Sequence, residues 1–341
     1  MSEVARQAGV HQTTVSLALR NDPRLPAGTR RRVRALARQM GYRPDPVLSA
    51  LNIYRSSRGD AGARLPIAFI TRSRPRRWDS TFYSDDQFLR GARRAADRLG
   101  YRLVLFQAGN GAGEGPRLSR ILRSRGIGGV VVAGLDNSLR SLDMAWEHFC
   151  AVCIESQHLA LPLTRVGNNQ TGVTRAAVRR AAGLGYRRIG LAVGEVEEVS
   201  LGKAFSAGYW AEVHEIPGLV AVPPLLMHAG GAAQALGEWI GAHRVDAVLS
   251  NWNLPDTIRS LGYRVPRDIG VATLDHNPSR GATAGMRQSH DLVGERALEA
   301  LSVLMKTNQR GPMRLPGTTL IDGVWKDGPE LVRRRAGARS K

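Results

Sequence analysis

Cysteine is nearly missing from this chain: two residues in 341 exclude a disulfide-stapled scaffold. Long apolar runs are missing too. The longest lies around Ile127 to Leu135 and has the length of a strand, short of the ~18–20 residues that cross a bilayer. The N-terminus, MSEVARQAGV, lacks the basic start and apolar stretch of a secretory signal, so a cytoplasmic location without a membrane partner is expected. The eight histidines are scattered, with no HExxH and no paired ligand spacing. No Ser-His-Asp order, phosphate loop or paired-carboxylate motif is visible, so neither an enzyme nor a cofactor is expected. Lysine is scarce as well. Lys203, Lys306, Lys326 and Lys341 stand against 45 arginines.

Arginine is what the chain has in abundance. Lys+Arg 49 against Asp+Glu 29 gives a formal net charge of +20, which points to a polyanionic partner or to the codon habit of a GC-rich genome. Distribution separates the two. Residues 1–64 hold 12 Arg against 4 acidic residues, while residues 65–341 hold 37 basic against 25 acidic. The head is about three times denser in net charge, so any nucleic-acid contact belongs there.

Residues 1–43 read as three short helices. The first runs from about Ser2 to Ala8, with Val4, Ala5 and Ala8 on one face. Gly9 and Val10 make a tight turn, and a second helix covers about Gln12 to Leu19. After the polar connection Asn21 to Pro26, a third helix from about Gly28 to Met40 buries Val33, Leu36, Ala37 and Met40 and exposes four arginines. Pro44 and Pro46 bar its continuation, and Arg55 to Arg64 is linker by composition. From Leu65 the pattern becomes strand–helix alternation. Strand-length runs fall at 66–71, 102–106, 127–133, 151–155, 188–193, 219–222, 245–250, 269–274 and 318–321, with helices between most of them. This predicts parallel sheets with helices on both faces, as one large sheet or two similar lobes. Ala176-Ala177 before Leu184-Gly185-Tyr186 echoes Ala95-Ala96 before Leu99-Gly100-Tyr101, which favours two lobes.

Two short helices joined by a glycine turn, the second of them polar, have the geometry of a helix-turn-helix or of a small helical subdomain with a solvated face. The first requires short polar side chains at the start of the second helix, where base edges approach. His11, Gln12, Thr13, Thr14 and Ser16 supply them. The wording decides. Val4-Ala5-x-x-Ala8-Gly9-Val10-x-x-x-Thr14-Val15-Ser16, then Thr29-Arg30 and Gly41-Tyr42-x-Pro44, resembles the lactose-repressor (LacI/GalR) family of bacterial transcription regulators. The resemblance is specific over residues 2–51 and looser through the rest.

The resemblance implies an α/β architecture: a helix-turn-helix domain (1–43), a hinge segment and linker (44–64) and a two-lobed core (65–325) like a periplasmic binding protein. The N-lobe would take about 65–160 and 288–312, the C-lobe about 161–287 and 313–325, with a disordered basic tail at 326–341. It implies base contacts from Gln12 and Thr13, with His11 beside them, and backbone contacts from Thr14, Ser16, Arg20, Thr29 and Tyr42. In the hinge it implies Leu48 and a minor-groove wedge at Leu51, seven residues after Pro44. Leu17 stands where the family commonly has a guanine-reading arginine, so only apolar contact with a thymine methyl is left to it. Asp45 replaces the usual asparagine after the hinge proline, and Pro26 a frequent serine. The chain also begins later than family members do, which suggests a native start upstream of Met1.

The family's cleft positions fall on the Trp78 to Phe82 loop, Asn168, Asn169, Lys203, Asn251, Trp252, Asn253, Asp275 and Gln288. Lys203 replaces an arginine and Asn168 a frequent aspartate. Trp78, Phe82 and Trp252 suit stacking on a sugar ring or plain core packing alike. Three other features carry little. Cys150-x-x-Cys153 lies in a strand-like stretch where i and i+3 face opposite ways. Gly109 to Gly115 lacks dinucleotide spacing and reads as a loop, and the basic run Arg72 to Arg77 as a solvated one. No leucine heptads follow Trp325, so the resemblance implies a homodimer on a palindromic operator, a repressor governed by a small effector. The other reading is a solute receptor of binding-protein type without DNA-binding activity.

Overall fold

In a computed structural model the described residues are 2–19, 22–40, 64–71, 83–109, 113–133, 142–156, 161, 163–228, 230–276 and 283–334. The hinge segment expected at 44–64 lies outside them save for Arg64.

Three helices open the chain: α1 (Ser2–Ala8), α2 (Gln12–Leu19) and α3 (Ala27–Gln39). Small apolar side chains at helical spacing (Val4, Ala5, Ala8, Val15, Ala18, Val33 and Ala37) form one closed core. Gly9, at φ +63°, takes the left-handed turn between α1 and α2, and the Val10 amide donates to the Ala5 carbonyl at 3.1 Å.

Two six-stranded sheets follow. The first contains β1 (Leu65–Thr71), β2 (Tyr101–Gln107), β3 (Gly129–Val132), β4 (Cys150–Ile154) and β5 (Thr164–Asn168). A late strand, β11 (Thr318–Ile321), completes it in the order β11-β5-β4-β3-β1-β2, and every pairing is parallel. In β1, Ile67 and Phe69 face one side and Ala68 and Ile70 the other, all four buried. That is why the strand reads as a continuous apolar run rather than an alternating one. Helix α4 (Tyr83–Leu99) packs on the first side and α5 (Glu114–Ser124) on the second.

The second sheet contains β6 (Ile189–Gly194), β7 (Leu225–Met227), β8 (Ala247–Ser250), β9 (Gly270–Thr273), β10 (Gly285–Arg287) and β12 (Val324–Lys326), in the order β12-β10-β9-β8-β6-β7. Only the β10–β12 pair is antiparallel. Its flanking helices are α6 (Gln170–Gly183), the short α7 (Glu195–Ser200), α8 (Ala204–Glu215), α9 (Ala232–His243) and α10 (Pro255–Ser260). The last long helix, α11 (His290–Lys306), returns to the first sheet and packs beside α4. The chain thus crosses between lobes three times: at 168–170, at 287–290 and at 321–324.

The lobe boundaries expected from the sequence need correction. Thr164–Asn168 and Thr318–Ile321, assigned to the C-lobe, belong to the first sheet, because β5 pairs with β4 and β11 pairs with β5. The strand expected at 219–222 begins instead at Leu225. Val222 is buried, but the Tyr209 hydroxyl accepts from its amide at 3.2 Å and donates to its carbonyl at 2.8 Å, so no strand partner is needed there. The tail is not free through residue 334 either. Leu331 is buried against the second lobe, and the Arg334 guanidinium reaches Asp246 at 2.8 Å across the Tyr186 ring.

Candidate functional site

The first candidate site grows out of the small helical core. Burying Val15 and Ala18 turns the remaining faces of α2 outward. His11, Gln12 and Thr13 are exposed there, while Thr14, Ser16, Leu17 and, on α3, Thr29 are half-buried. His11 caps the helix: its Nδ1 accepts from the Thr13 amide at 3.4 Å and lies 2.9 Å from Thr13 Oγ1. No acidic residue occupies the first turn of α2, so its positive end has no internal counter-charge in that turn. On α3, Arg30 donates to the Asp22 carbonyl at 3.1 Å and Arg32 to the Ala8 carbonyl at 3.3 Å, which fixes the third helix against its preceding connection and against α1. Arg31, Arg34 and Arg38 remain exposed. Arg20, Tyr42, Leu48 and Leu51 lie outside the described residues, as do Trp78 and Phe82.

The second candidate site lies where strand ends of both lobes approach the crossings. Asn169 caps α6, accepting from the Gly172 amide at 2.9 Å, and donates to Asp322 at 2.7 Å, tying the first crossing to the third. Gln170 and Gln288, both buried, exchange amide hydrogen bonds of 3.0 and 2.8 Å and tie the first crossing to the second. Gln288 Nε2 also donates to the Leu274 carbonyl at 2.8 Å, so both its N–H groups are used within the protein. Asn168 and Asp275 meet through a residue the sequence reading missed, His290. Asn168 Nδ2 lies 3.0 Å from His290 Nδ1, and His290 Nε2 lies 2.9 and 3.1 Å from the two Asp275 oxygens.

Asn251 and Trp252 gather around another missed position, Gly194. Asn251 Oδ1 accepts from the Gly194 amide at 3.0 Å, and a Cβ at 194 would strike the Glu197 carboxylate and Trp252 Nε1. Lys203 sits at φ +62° at the start of α8, its side chain exposed, and Asn253 is exposed beyond β8; neither bonds to the others among the described residues. Strand-end position was the signal available for Glu155, which follows β4, and Gly194, which ends β6, since α/β sheets place ligands outside their carboxyl ends, whereas His290 opens α11. Cys150 and Cys153 fall on opposite faces of the first sheet, both buried, and burial pushes each thiol up to about 11.

A polar-faced helix-turn-helix unit ahead of a two-lobed, mostly parallel α/β core defines a class: a reader domain joined to a ligand-binding type of body. Residues 1–45 match the family model described as bacterial regulatory proteins, lacI family. The chain is 27% identical over 297 residues to the HTH-type transcriptional regulator MalR of Streptomyces coelicolor, covering 82% of this chain and 80% of that protein. It is 26% identical over 300 residues to the HTH-type transcriptional regulator reg1 of Streptomyces lividans, covering 82% and 81%. Among solved structures it superposes on a transcriptional regulator CelR–cellobiose complex with a TM-score of 0.63 at 18% identity, covering 96% of this chain and 98% of the other. The lac repressor dimer bound to operator and the anti-inducer ONPF gives 0.62 at 19%, with the same coverage. Over residues 1–45 the chain thus matches the lacI family of bacterial regulatory proteins, and over most of its length it is similar to HTH-type transcriptional regulators. No helix among the described residues is long and apolar enough to cross a membrane.

Proposed function

We propose that this protein is a homodimeric transcriptional repressor acting in the cytoplasm, whose grip on a palindromic operator is set by a small polyhydroxylated effector between its lobes. The observation that carries the reading is the exposed row His11, Gln12 and Thr13 at the start of α2, beside Arg31, Arg34 and Arg38 on the surface of α3. In a major groove the Gln12 amide reads adenine bidentately and Thr13 lies beside it, while Thr14, Ser16, Arg20, Thr29 and Tyr42 hold phosphates. Leu17 meets a thymine methyl, and Leu48 and Leu51 serve the paired hinge, Leu51 as the minor-groove wedge.

In the cleft, Asp275, Asn168, Asn169 and Asn251 offer hydrogen bonds to hydroxyls. Trp252, with Trp78 and Phe82, offers stacking; Lys203 and Asn253 rim the site, and Gln288 braces it from behind. A sugar fits those groups, and the structural neighbour CelR is a complex with cellobiose. An effector shifts the equilibrium only by binding one lobe arrangement better than the other, and that difference is relayed to the hinge.

Titrating salt against binding to duplex DNA tests the reading. Phosphate neutralisation predicts an affinity that falls steeply, with a log–log slope of about −0.9 per phosphate contacted. Leu51→Ala should weaken specific binding more than non-specific binding. A weak affinity indifferent to salt would overturn the proposal and leave the solute-receptor reading.

A further inference from the structure

Four polar side chains from four separate stretches of sequence form one chain across the crossing. Glu155, at the end of β4, accepts from the Asn168 backbone amide at 3.3 Å and from Asn168 Nδ2 at 2.9 Å. A carboxylate only accepts, so the nitrogen end of the Asn168 amide faces it. The second N–H of that amide then points at His290 Nδ1, which must accept. The imidazole proton therefore sits on Nε2 and is donated to Asp275. The orientation holds even though it leaves the buried Asn168 Oδ1 without a hydrogen-bond partner.

The two ends of this chain belong to different lobes. Glu155, Asn168 and the helix that His290 begins pack with the first sheet, whereas Asp275 follows β9 of the second. They also differ in freedom. The His290 side chain is 4% exposed, its ring is edge-on to Phe88 at 5.3 Å, and Glu155 is itself held in the left-handed region at φ +51°. Asp275 is 27% exposed and lies on the open side of the contact. One lobe thus carries a fixed donor and the other an accessible acceptor.

The geometry points to the His290–Asp275 hydrogen bond as a latch between the lobes that holds the lobe arrangement in which it forms, with Asn168 and Glu155 as the positioning residues that aim it. Rotating one lobe against the other takes Asp275 from an N–H that is buried while the bond is made, and the loss of that partner is the penalty that keeps the latch shut. A donor group brought into the cleft competes for the same carboxylate and opens it. The latch rests on the effector-cleft reading only for what opens it, not for its existence.

The test needs neither effector nor DNA, so its failure leaves the DNA-binding proposal standing, and failure of DNA binding leaves the latch standing. Lys306→Cys on α11 and Glu238→Cys on α9, both exposed positions, carry spin labels in the full-length protein, diluted with unlabelled chains. The native thiols are buried and do not compete for the label. Wild type should give one narrow inter-lobe distance. His290→Phe, which keeps a ring beside Phe88 but has no N–H, should raise the alternative arrangement by roughly threefold to tenfold. His290→Gln, which still donates, should restore the wild-type distribution. An unchanged distribution in His290→Phe, or equal shifts in the Phe and Gln variants, overturns the latch. Should His290→Phe fail to fold, Asp275→Ala breaks the same bond from its exposed side and must shift the distribution likewise; no shift overturns it.

Discussion

Glu212 shows how much a single side chain contributes to this molecule. It is buried on α8, and burial pushes its carboxyl up, yet Arg179 and Arg175 from α6 together outweigh that and hold it below its ordinary value of 4.5. The folded protein therefore binds a proton at Glu212 less readily than the unfolded chain does. Its stabilisation is fully present above pH 4.5 and is lost as pH falls through the lower folded value. Because both arginines are partly exposed, Glu212→Gln should cost only on the order of 1–3 kcal/mol near neutrality. The variant should also lose less stability than wild type between about pH 5 and 3 in urea unfolding. Equal acid sensitivity in the two proteins would remove Glu212 from that role.

Much of the candidate site at this scale was beyond the sequence. The exposed placement of Gln12 and Thr13 was legible because a helix-turn-helix sets out its polar face in contiguous residues at fixed offsets from a glycine turn. Glu155 and His290 were not, since His290 meets the expected Asn168 only once the chain has crossed twice between the sheets. For Gln288, expected at the cleft, nothing local announced that Gln170 and the Leu274 carbonyl take up both of its N–H groups.

At the scale of elements, the crossing of α4 and α11 rests on two glycines. A Cβ at Gly91 would strike the Asp291 backbone, and one at Gly294 would strike the Phe88 carbonyl, so the helices approach backbone to backbone. Around that contact Arg94 pairs with Asp291 and Glu295, and Arg98 with Glu299, all partly exposed and individually weak. The close approach is the stronger determinant. Gly294→Ala should destabilise the protein by about 1–3 kcal/mol in thermal or urea unfolding, whereas Arg98→Ala should cost less than about 1 kcal/mol. The reverse order would show that the ion pairs hold the helices.

Which strand joins which sheet is the part of the fold that sequence patterning left open. Thr164–Asn168 and Thr318–Ile321 carry the same short alternation whichever lobe they enter, and membership is decided by non-local pairing with β4 and β5. The C-terminal segment misled for a related reason. Its composition is basic and polar, yet the Val271 amide donates to the Glu330 carbonyl at 2.8 Å, Leu331 is buried, and Arg334 pairs with Asp246. Truncation after Lys326 should therefore lower the melting temperature measurably, while truncation after Arg334 should not. Equal melting of the two truncated forms would mean the strap holds nothing.

Across the whole molecule, the formal net charge of +20 divides into two unequal parts. In the lobes many arginines are consumed by neighbours: Arg94, Arg98, Arg117, Arg175, Arg179, Arg180, Arg264 and Arg334 all pair with carboxylates. On α3, Arg31, Arg34 and Arg38 stay exposed beside α2. Under the proposed function, affinity belongs to the head's arginines and specificity to the uncharged row on α2. Selection from a random pool of duplex DNA with the full-length protein puts this to the question most directly. The account predicts enrichment of an inverted repeat, with Gln12→Ala relaxing one position in each half-site and leaving the salt slope unchanged. A pool with no enriched sequence, bound equally well by wild type and Gln12→Ala, would contradict it.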